Sequence, residues 1–493
     1  MSFLRKPVTM LVAIILLTSS ASADEAQATD ALETIQRKVA QYLKRPGVRS
    51  ANWGIQILDP EDNKVLVEVN PDKAFLPASV LKVVTTAAAV EKLGPDFRYR
   101  TGVYSNGTVD EDGVLDGDLI LVGRGDPNLM DAYGDLQQSP ALQDLAEKIA
   151  ALGIREVKGD IVGDDSYFDP NDNGKGWTAS ELGKRYGAPV TALSINNNVI
   201  QVTASPTKYK KKVAVSLEPK TSYFRISNQA LTGGRNAKRT LRVTLQRASN
   251  TLVITGVLPA TKTVTQAVVL AKPAETTAAI FKDELERREV AVRGGVRAVH
   301  YGDELEDVTA ERKLLAEHQS LPLVKALEII NKRSQNLHAE MLLRTLGAEF
   351  RGVGTNEAGL QAVKAFLVEA GIDSEKIKLD DGCGLSRENF LTPRFQTSLL
   401  EYLFNRPYFS LFFNTLAVSG TDGTLKNRLA ALDVKGSVHA KTGTLNGVTT
   451  LSGYITTQSG KNLAFCIFAN SVTATAKVKQ TIDEICSLFV KSY

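Results

Sequence analysis

Cysteine is scarce in this chain, and so are histidine, tryptophan and methionine: three, four, two and four residues among 493. Three cysteines, Cys383, Cys466 and Cys486, exclude a disulfide-built scaffold; an oxidising compartment would permit one bond and leave one thiol over. The four histidines lack metal-ligand spacing, so no metal is expected. No charge of one sign dominates. With 59 basic against 55 acidic residues, the chain has no basic surplus for nucleic acid. Beyond the first residues no run approaches the ~18 uncharged apolar residues of a spanning helix, so no transmembrane anchor is expected. Internal repeats, low-complexity segments and a G-x-S-x-G elbow are also missing, and the last of these argues against a His-based serine hydrolase.

The single apolar run, Met10 to Leu17, follows Arg5 and Lys6 and precedes Ala21-Ser22-Ala23. Basic residues, a short apolar core and a small-residue site describe a cleavable signal peptide over 1–23, hence an exported, periplasmic protein. No cysteine stands at the cleavage site, which argues against a lipid anchor. Loss of Arg5 and Lys6 brings the 59 basic residues to 57, against 55 acidic.

What remains is roughly 470 residues, too many for one ordinary core. A helical pattern over 31–43 precedes two strand-like runs, 53–58 and 64–69, joined by the turn signal Asp59-Pro60-Glu61-Asp62-Asn63. From 98 to 302 short runs rich in Val, Ile, Thr and Leu alternate with Gly, Asn and Asp, predicting a mainly β insertion of one or two subdomains. Helices are expected within it near 141–152 and 274–288. Apolar spacing then predicts helices over 323–332, 337–346, 357–370 and 393–404, strands over 436–441, 448–455 and 462–468, and a last helix over 474–490. Residues 24–97 and 303–493 thus read as one α/β domain closed by both termini.

Three short motifs carry chemistry. Leu76-Pro77-Ala78-Ser79-Val80-Leu81-Lys82 opens a stretch without Gly or Pro until Gly94, so Ser79 falls in the first turn of a buried helix. There unpaired N–H groups and the helix dipole favour negative charge. Lys82, at i+3, leaves the same face. Burial lowers a lysine pKa, and only the neutral amine can take the serine proton. The plainer reading is an N-cap and an ordinary lysine, and Ser205-Pro206-Thr207-Lys208 repeats the spacing in a polar turn. Ser334-Gln335-Asn336 lies between two helical stretches, where a hydroxyl and an amide can hold a carbonyl or a lysine. A helix cap explains Ser334 as well, and Ser194-Ile195-Asn196 is a second copy. Lys441-Thr442-Gly443-Thr444 ends a predicted strand. Gly443 would let a ligand lie against the backbone, and an extended substrate could add to that edge as a strand; alone, the motif also fits a polar turn.

Together and in this order, S-x-x-K, S-x-N and K-T-G resemble the signature of the penicillin-recognising serine enzymes. The chain is similar to the D-alanyl-D-alanine carboxypeptidase/endopeptidase family of low-molecular-mass penicillin-binding proteins, class C type. Local matches extend over nearly all of the exported chain: Gly117–Gly123 with Gly125-Asp126-Pro127, Tyr186-Gly187-Ala188-Pro189, Asp381-Gly382-Cys383-Gly384-Leu385-Ser386-Arg387 and Gly420–Leu425. The resemblance implies a penicillin-binding-protein/β-lactamase-like transpeptidase domain, an antiparallel sheet flanked by helices, with the β insertion added. It implies Ser79 as nucleophile, Lys82 as base, and Ser334 and Asn336 lining the cleft. Lys441 would bind the substrate carboxylate, with Thr442 assisting and the backbone N–H groups of Ser79 and Thr444 forming an oxyanion hole. It assigns contacts with the diamino acid of a stem peptide to Asp164, with Asp165 competing, and to Arg387. Cys383 stands where the family more often has a small residue such as serine, and Asn446 follows K-T-G at a variable position.

The implied activity is a periplasmic serine D,D-peptidase on peptidoglycan stem peptides, acylated by β-lactam antibiotics and needing no cofactor. The sequence leaves its oligomeric state open. Two rivals stand beside it. A β-lactamase would need a deacylating Glu-x-x-x-Asn loop or a Tyr-x-Asn motif, neither evident; it also places its elements far closer together than Ser79 and Ser334. A non-catalytic wall-binding protein would not need Ser79, Lys82, Asn336 and Lys441 all intact. His439 shares a strand face with Lys441 and reads as a packed residue. Arg124-Gly125-Asp126 precedes a proline turn, and Gly123-x-Gly125 lacks the rest of a phosphate loop.

Overall fold

A computed structural model describes residues 31–127, 129, 141–169, 173–303 and 312–493; the expected signal peptide, 1–23, lies outside them. The chain divides into two compact units. One takes the chain up to Val80, Ile372–Lys378 and Phe390–Tyr493; the other takes Leu81–Gly371 and Leu379–Asn389. Contact thus groups the helices after Leu81 with the region 98–302.

The first unit is built on a six-stranded sheet. Its order is Lys64–Val69, Asn52–Asp59, Asn462–Asn470, Val448–Thr456, Val438–Leu445 and Ala417–Val418, every pair antiparallel. An antiparallel sheet with one wet face would alternate apolar and polar residues. Here the sequences VTTLSGYIT and NLAFCIFAN are buried nearly throughout, so both faces are covered. The helices 31–43 and Thr475–Ser492 supply one cover through a cluster that includes Ile35, Val39, Ile55, Phe465, Ile482 and Phe489. On the other side Pro393–Phe404 packs on the sheet, with Tyr454 donating to the Leu400 carbonyl at 2.8 Å and Thr397 bonded to Gln56. Cys466 and Cys486 are buried free thiols.

In the second unit the helix Lys82–Leu93 is buried from Lys82 to Val90 without interruption, the polar Lys82, Thr85 and Thr86 included. Leu323–Arg333, Asn336–Arg351 and Asn356–Glu369 pack with it. A five-stranded sheet runs Val296–Val299, Ile161–Asp164, Leu119–Val122, Arg100–Ser105 and Lys313–Gln319. Its first three strands are parallel and the last two join antiparallel. The helices Ala141–Ala151 and Pro273–Glu286 belong to one apolar cluster with these strands and the smaller β pairings up to Val268. Among the described residues no helix is long and apolar enough to cross a membrane.

Candidate active site

Ser79 sits in a 3₁₀ turn, Ala78–Leu81, and the α-helix proper begins at Lys82. The tighter start has a local cause: Pro77 cannot donate, and Ala78 takes a left-handed φ of 48°. That conformation costs free energy for a residue with a Cβ, and such residues concentrate at functional sites. Ser79 is half-exposed whereas Lys82 is 0% exposed. The Lys82 amine donates to Asn336 Oδ1 at 2.7 Å and to the Cys383 carbonyl at 2.6 Å. Burial pushes its pKa down, opposed by the acidic groups of Cys383, Asp381 and Glu340.

Asn336 begins the helix Asn336–Arg351, and Ser334 caps the preceding helix with φ 59° and ψ 41°. A second non-glycine left-handed residue therefore turns the chain between the two helices. Asn336 donates its Nδ2 to the Tyr186 carbonyl at 2.9 Å, which leaves Oδ1 as the acceptor for Lys82. The loop bearing Cys383 is held by Asp381. Asp381 accepts from Gly384 N, Ser386 N, Asn389 Nδ2 and Trp177 Nε1 at 2.7, 2.7, 2.8 and 2.9 Å. Those donors fill the acceptor capacity of one carboxylate. Ligand atoms of Glu340, Asp381 and Cys383 do lie within 4.8 Å of one another. Asp381 has no lone pair left for a cation, and Arg344 lies 3.8 Å from Glu340.

In the other unit, Lys441-Thr442-Gly443-Thr444 lies inside the strand Val438–Leu445 and not at a strand end as the sequence suggested. Gly443 pairs with Thr450. A Cβ on Gly443 would meet Thr450 Oγ1 at 2.1 Å, the Pro77 carbonyl at 2.8 Å and Ser79 N at 3.0 Å. Its bare face is therefore filled by Thr450 and the backbone that carries Ser79, with Thr450 Oγ1 donating to Pro77 O at 2.8 Å. The absence of a side chain at Gly443 thus makes room for the turn that carries Ser79. Lys441 is buried and donates to the Thr442 carbonyl at 2.8 Å. Thr442 donates to Thr424 Oγ1 at 2.8 Å, and Thr444 is exposed.

The carboxylates assigned to substrate already have partners inside the protein. Asp164, 4% exposed, pairs with Arg312 at 2.8 Å and accepts from Ser166 N and Oγ at 3.0 and 2.6 Å. Asp165 is bonded to Thr191 and, at 2.7 Å, to His300 Nδ1. Arg387 is exposed at the end of the Cys383 loop. His439 stacks on Phe413 with ring centroids 3.9 Å apart, the packed role expected for it.

Sequence reasoning missed the carbonyls of Tyr186 and Cys383, the Trp177 indole and Glu340. Backbone acceptors leave no mark in a sequence. Glu340 did leave one: it is an acid at i+4 from Asn336 and i−4 from Arg344, so three polar residues line one face of a mostly apolar helix.

Residues 35–490 match the D-Ala-D-Ala carboxypeptidase 3 (S13) family. The chain is 33% identical over 476 residues to a D-alanyl-D-alanine carboxypeptidase of Actinomadura sp., covering 94% of this chain and 85% of the relative. To a D-alanyl-D-alanine carboxypeptidase of Haemophilus influenzae it is 28% identical over 425 residues, 85% of each. In structure it is similar to penicillin binding protein 4 of Haemophilus influenzae, with TM-score 0.76 and 27% identity, over 92% of this chain and 99% of that one. The same protein in complex with a β-lactam aligns with TM-score 0.71 and 26% identity over the same shares.

Proposed function

The chain belongs to the D-Ala-D-Ala carboxypeptidase 3 (S13) family of serine-type D-Ala-D-Ala peptidases, and from that premise we propose how its own residues do the work. Ser79 Oγ attacks the carbonyl of the penultimate D-alanine of a peptidoglycan stem peptide, and Lys82 takes the hydroxyl proton. A neutral amine has two N–H groups and one lone pair. Two N–H groups donate to Asn336 Oδ1 and Cys383 O, and the lone pair takes the serine proton.

The backbone N–H groups of Ser79 and Thr444 accept the developing oxyanion, Lys441 and Thr442 receive the terminal carboxylate, and Ser334 and Asn336 line the site. The leaving amine departs with a proton from Lys82, and water then releases the acyl group. A free D-alanine as leaving group makes the reaction a carboxypeptidase step; a cross-linked stem makes it an endopeptidase step. Acylation by β-lactams and export to the periplasm belong to the same reading.

The buried Lys82 amine, one helical turn after a half-exposed serine, is the observation that carries it. Fluorescent penicillin should label the protein covalently, and release of D-alanine from a stem pentapeptide should require Ser79. A label that hydrolyses within seconds would favour a β-lactamase, and no label at all would favour a non-catalytic wall-binding protein.

A further inference from the structure

Both acceptors of the Lys82 amine trace back to one helix. Asn336, in its first turn, accepts directly. Glu340, at i+4 and so on the same face, accepts the Gly382 N–H at 2.9 Å. Thr85 donates to the carbonyl of that same Gly382 at 2.7 Å. The next carbonyl along the chain, Cys383 O, is the second acceptor of Lys82. We propose that Glu340 is a positioning residue for the base: by holding the Gly382 N–H it keeps the Cys383 carbonyl on the Lys82 amine, and so keeps the lone pair of that amine aimed away from both acceptors. The inference rests on the reading of Lys82 as the base.

The surroundings of Glu340 explain why an acid stands there. It is 1% exposed and faces Arg344 on its own helix, Asp381 and Cys383 on the loop, and Lys82 on the helix Lys82–Leu93. Burial and Asp381 push its pKa up to about 7, against the pull of Arg344 and the Gly382 N–H. Glu340 therefore changes charge near neutrality and remains an acceptor in both states. When ionised it favours the ammonium form of Lys82. When protonated it still holds the loop.

Glu340→Leu and Glu340→Gln both remove the charge beside Arg344, so any cost of leaving that guanidinium without its carboxylate is common to the two. Only the glutamine keeps an acceptor for Gly382. The second-order rate of acylation by a chromogenic β-lactam, from pH 5 to 9, separates them. The leucine variant should lose about tenfold to hundredfold, the usual loss when a group that orients a reacting side chain is removed; the glutamine variant should stay within about threefold of the parent near pH 7. Its acid limb should lie at lower pH than the parent's, because Lys82 then faces one negative charge fewer, Asp381 remaining. Glu340→Asp keeps the charge and withdraws it from Gly382 by one methylene. It should be slowed like the leucine variant while melting near the parent, and it decides the question if the leucine variant does not fold. A folded leucine or aspartate variant acylated at the parental rate would overturn the proposal, as would a glutamine variant as slow as the leucine. Absence of labelling in the parent would instead overturn the assignment of Lys82 as base.

Discussion

The chain contains the same tetrapeptide pattern twice, and the two copies share almost nothing else. Ser79 and Lys82 stand at the junction of a 3₁₀ turn and a buried helix. Ser205 ends the strand Val199–Ser205, and Lys208 lies exposed in the connection that follows. One lysine is sealed from water and bonded to a side-chain amide and a main-chain carbonyl. The other is free to hold its ammonium in solvent. The sequence spacing is the same in both places; desolvation favours the neutral amine in one.

The difference can be broken by mutation. Ser79→Ala should abolish both penicillin labelling and D-alanine release, while Ser205→Ala changes neither; labelling that survives the first and is lost in the second would reverse the assignment. Lys82→Ala should slow acylation by roughly 10²–10⁴-fold, the usual loss of a general base, with Lys208→Ala indistinguishable from the parent by the same assay.

The pH dependence follows from the direction of the Lys82 shift. The ammonium form is disfavoured by burial, so acylation should rise as Lys82 loses its proton and do so below the ordinary lysine value. An acid limb at the unperturbed lysine position would mean that the amine is hydrated. Gly443→Ala sharpens the comparison from the other side, because Gly443 lies directly against the backbone of the Ser79 copy. The added methyl would press on Thr450 and Ser79 N, and about 1–3 kcal/mol of stability should be lost to overpacking. Differential scanning calorimetry and labelling rate should fall together.

Asp164→Ala has the smallest expected effect on chemistry. Removing one partner of a nearly buried ion pair costs about 3 kcal/mol, so the melting temperature should drop while the folded variant acylates normally with penicillin. A selective loss on peptides bearing a free side-chain amine, with no change in melting, would show that Asp164 serves substrate instead.

Much of this was legible beforehand, for reasons that differ by residue. The helices after Val308 and the strands from Val438 to Asn470 announce themselves by apolar spacing and β-branched runs, and the structure extends them by a few residues. The order of the three motifs gave the chemistry. Three things did not show. The turn at Ser79 is 3₁₀ because Ala78 is left-handed, and alanine carries no sign of that. The strand runs on past Lys441 because Gly443 is filled from across the sheet by Thr450, a long-range packing fact. Asp164 looked available because its partner, Arg312, lies 148 positions away. The decoy Ser194-Ile195-Asn196 is equally instructive: Ser194 donates to Thr191 O at 3.1 Å within a buried turn, a structural use of the same letters.

Mapping of the β-lactam adduct by mass spectrometry, in the parent and in Lys82→Ala at neutral pH, tests the central claim most directly. A buried Lys82 acting on Ser79 predicts one adduct, on the tryptic peptide that contains Ser79, forming at least a hundredfold more slowly in the variant. An adduct on any other serine, or one that forms on Ser79 equally fast without Lys82, would contradict it.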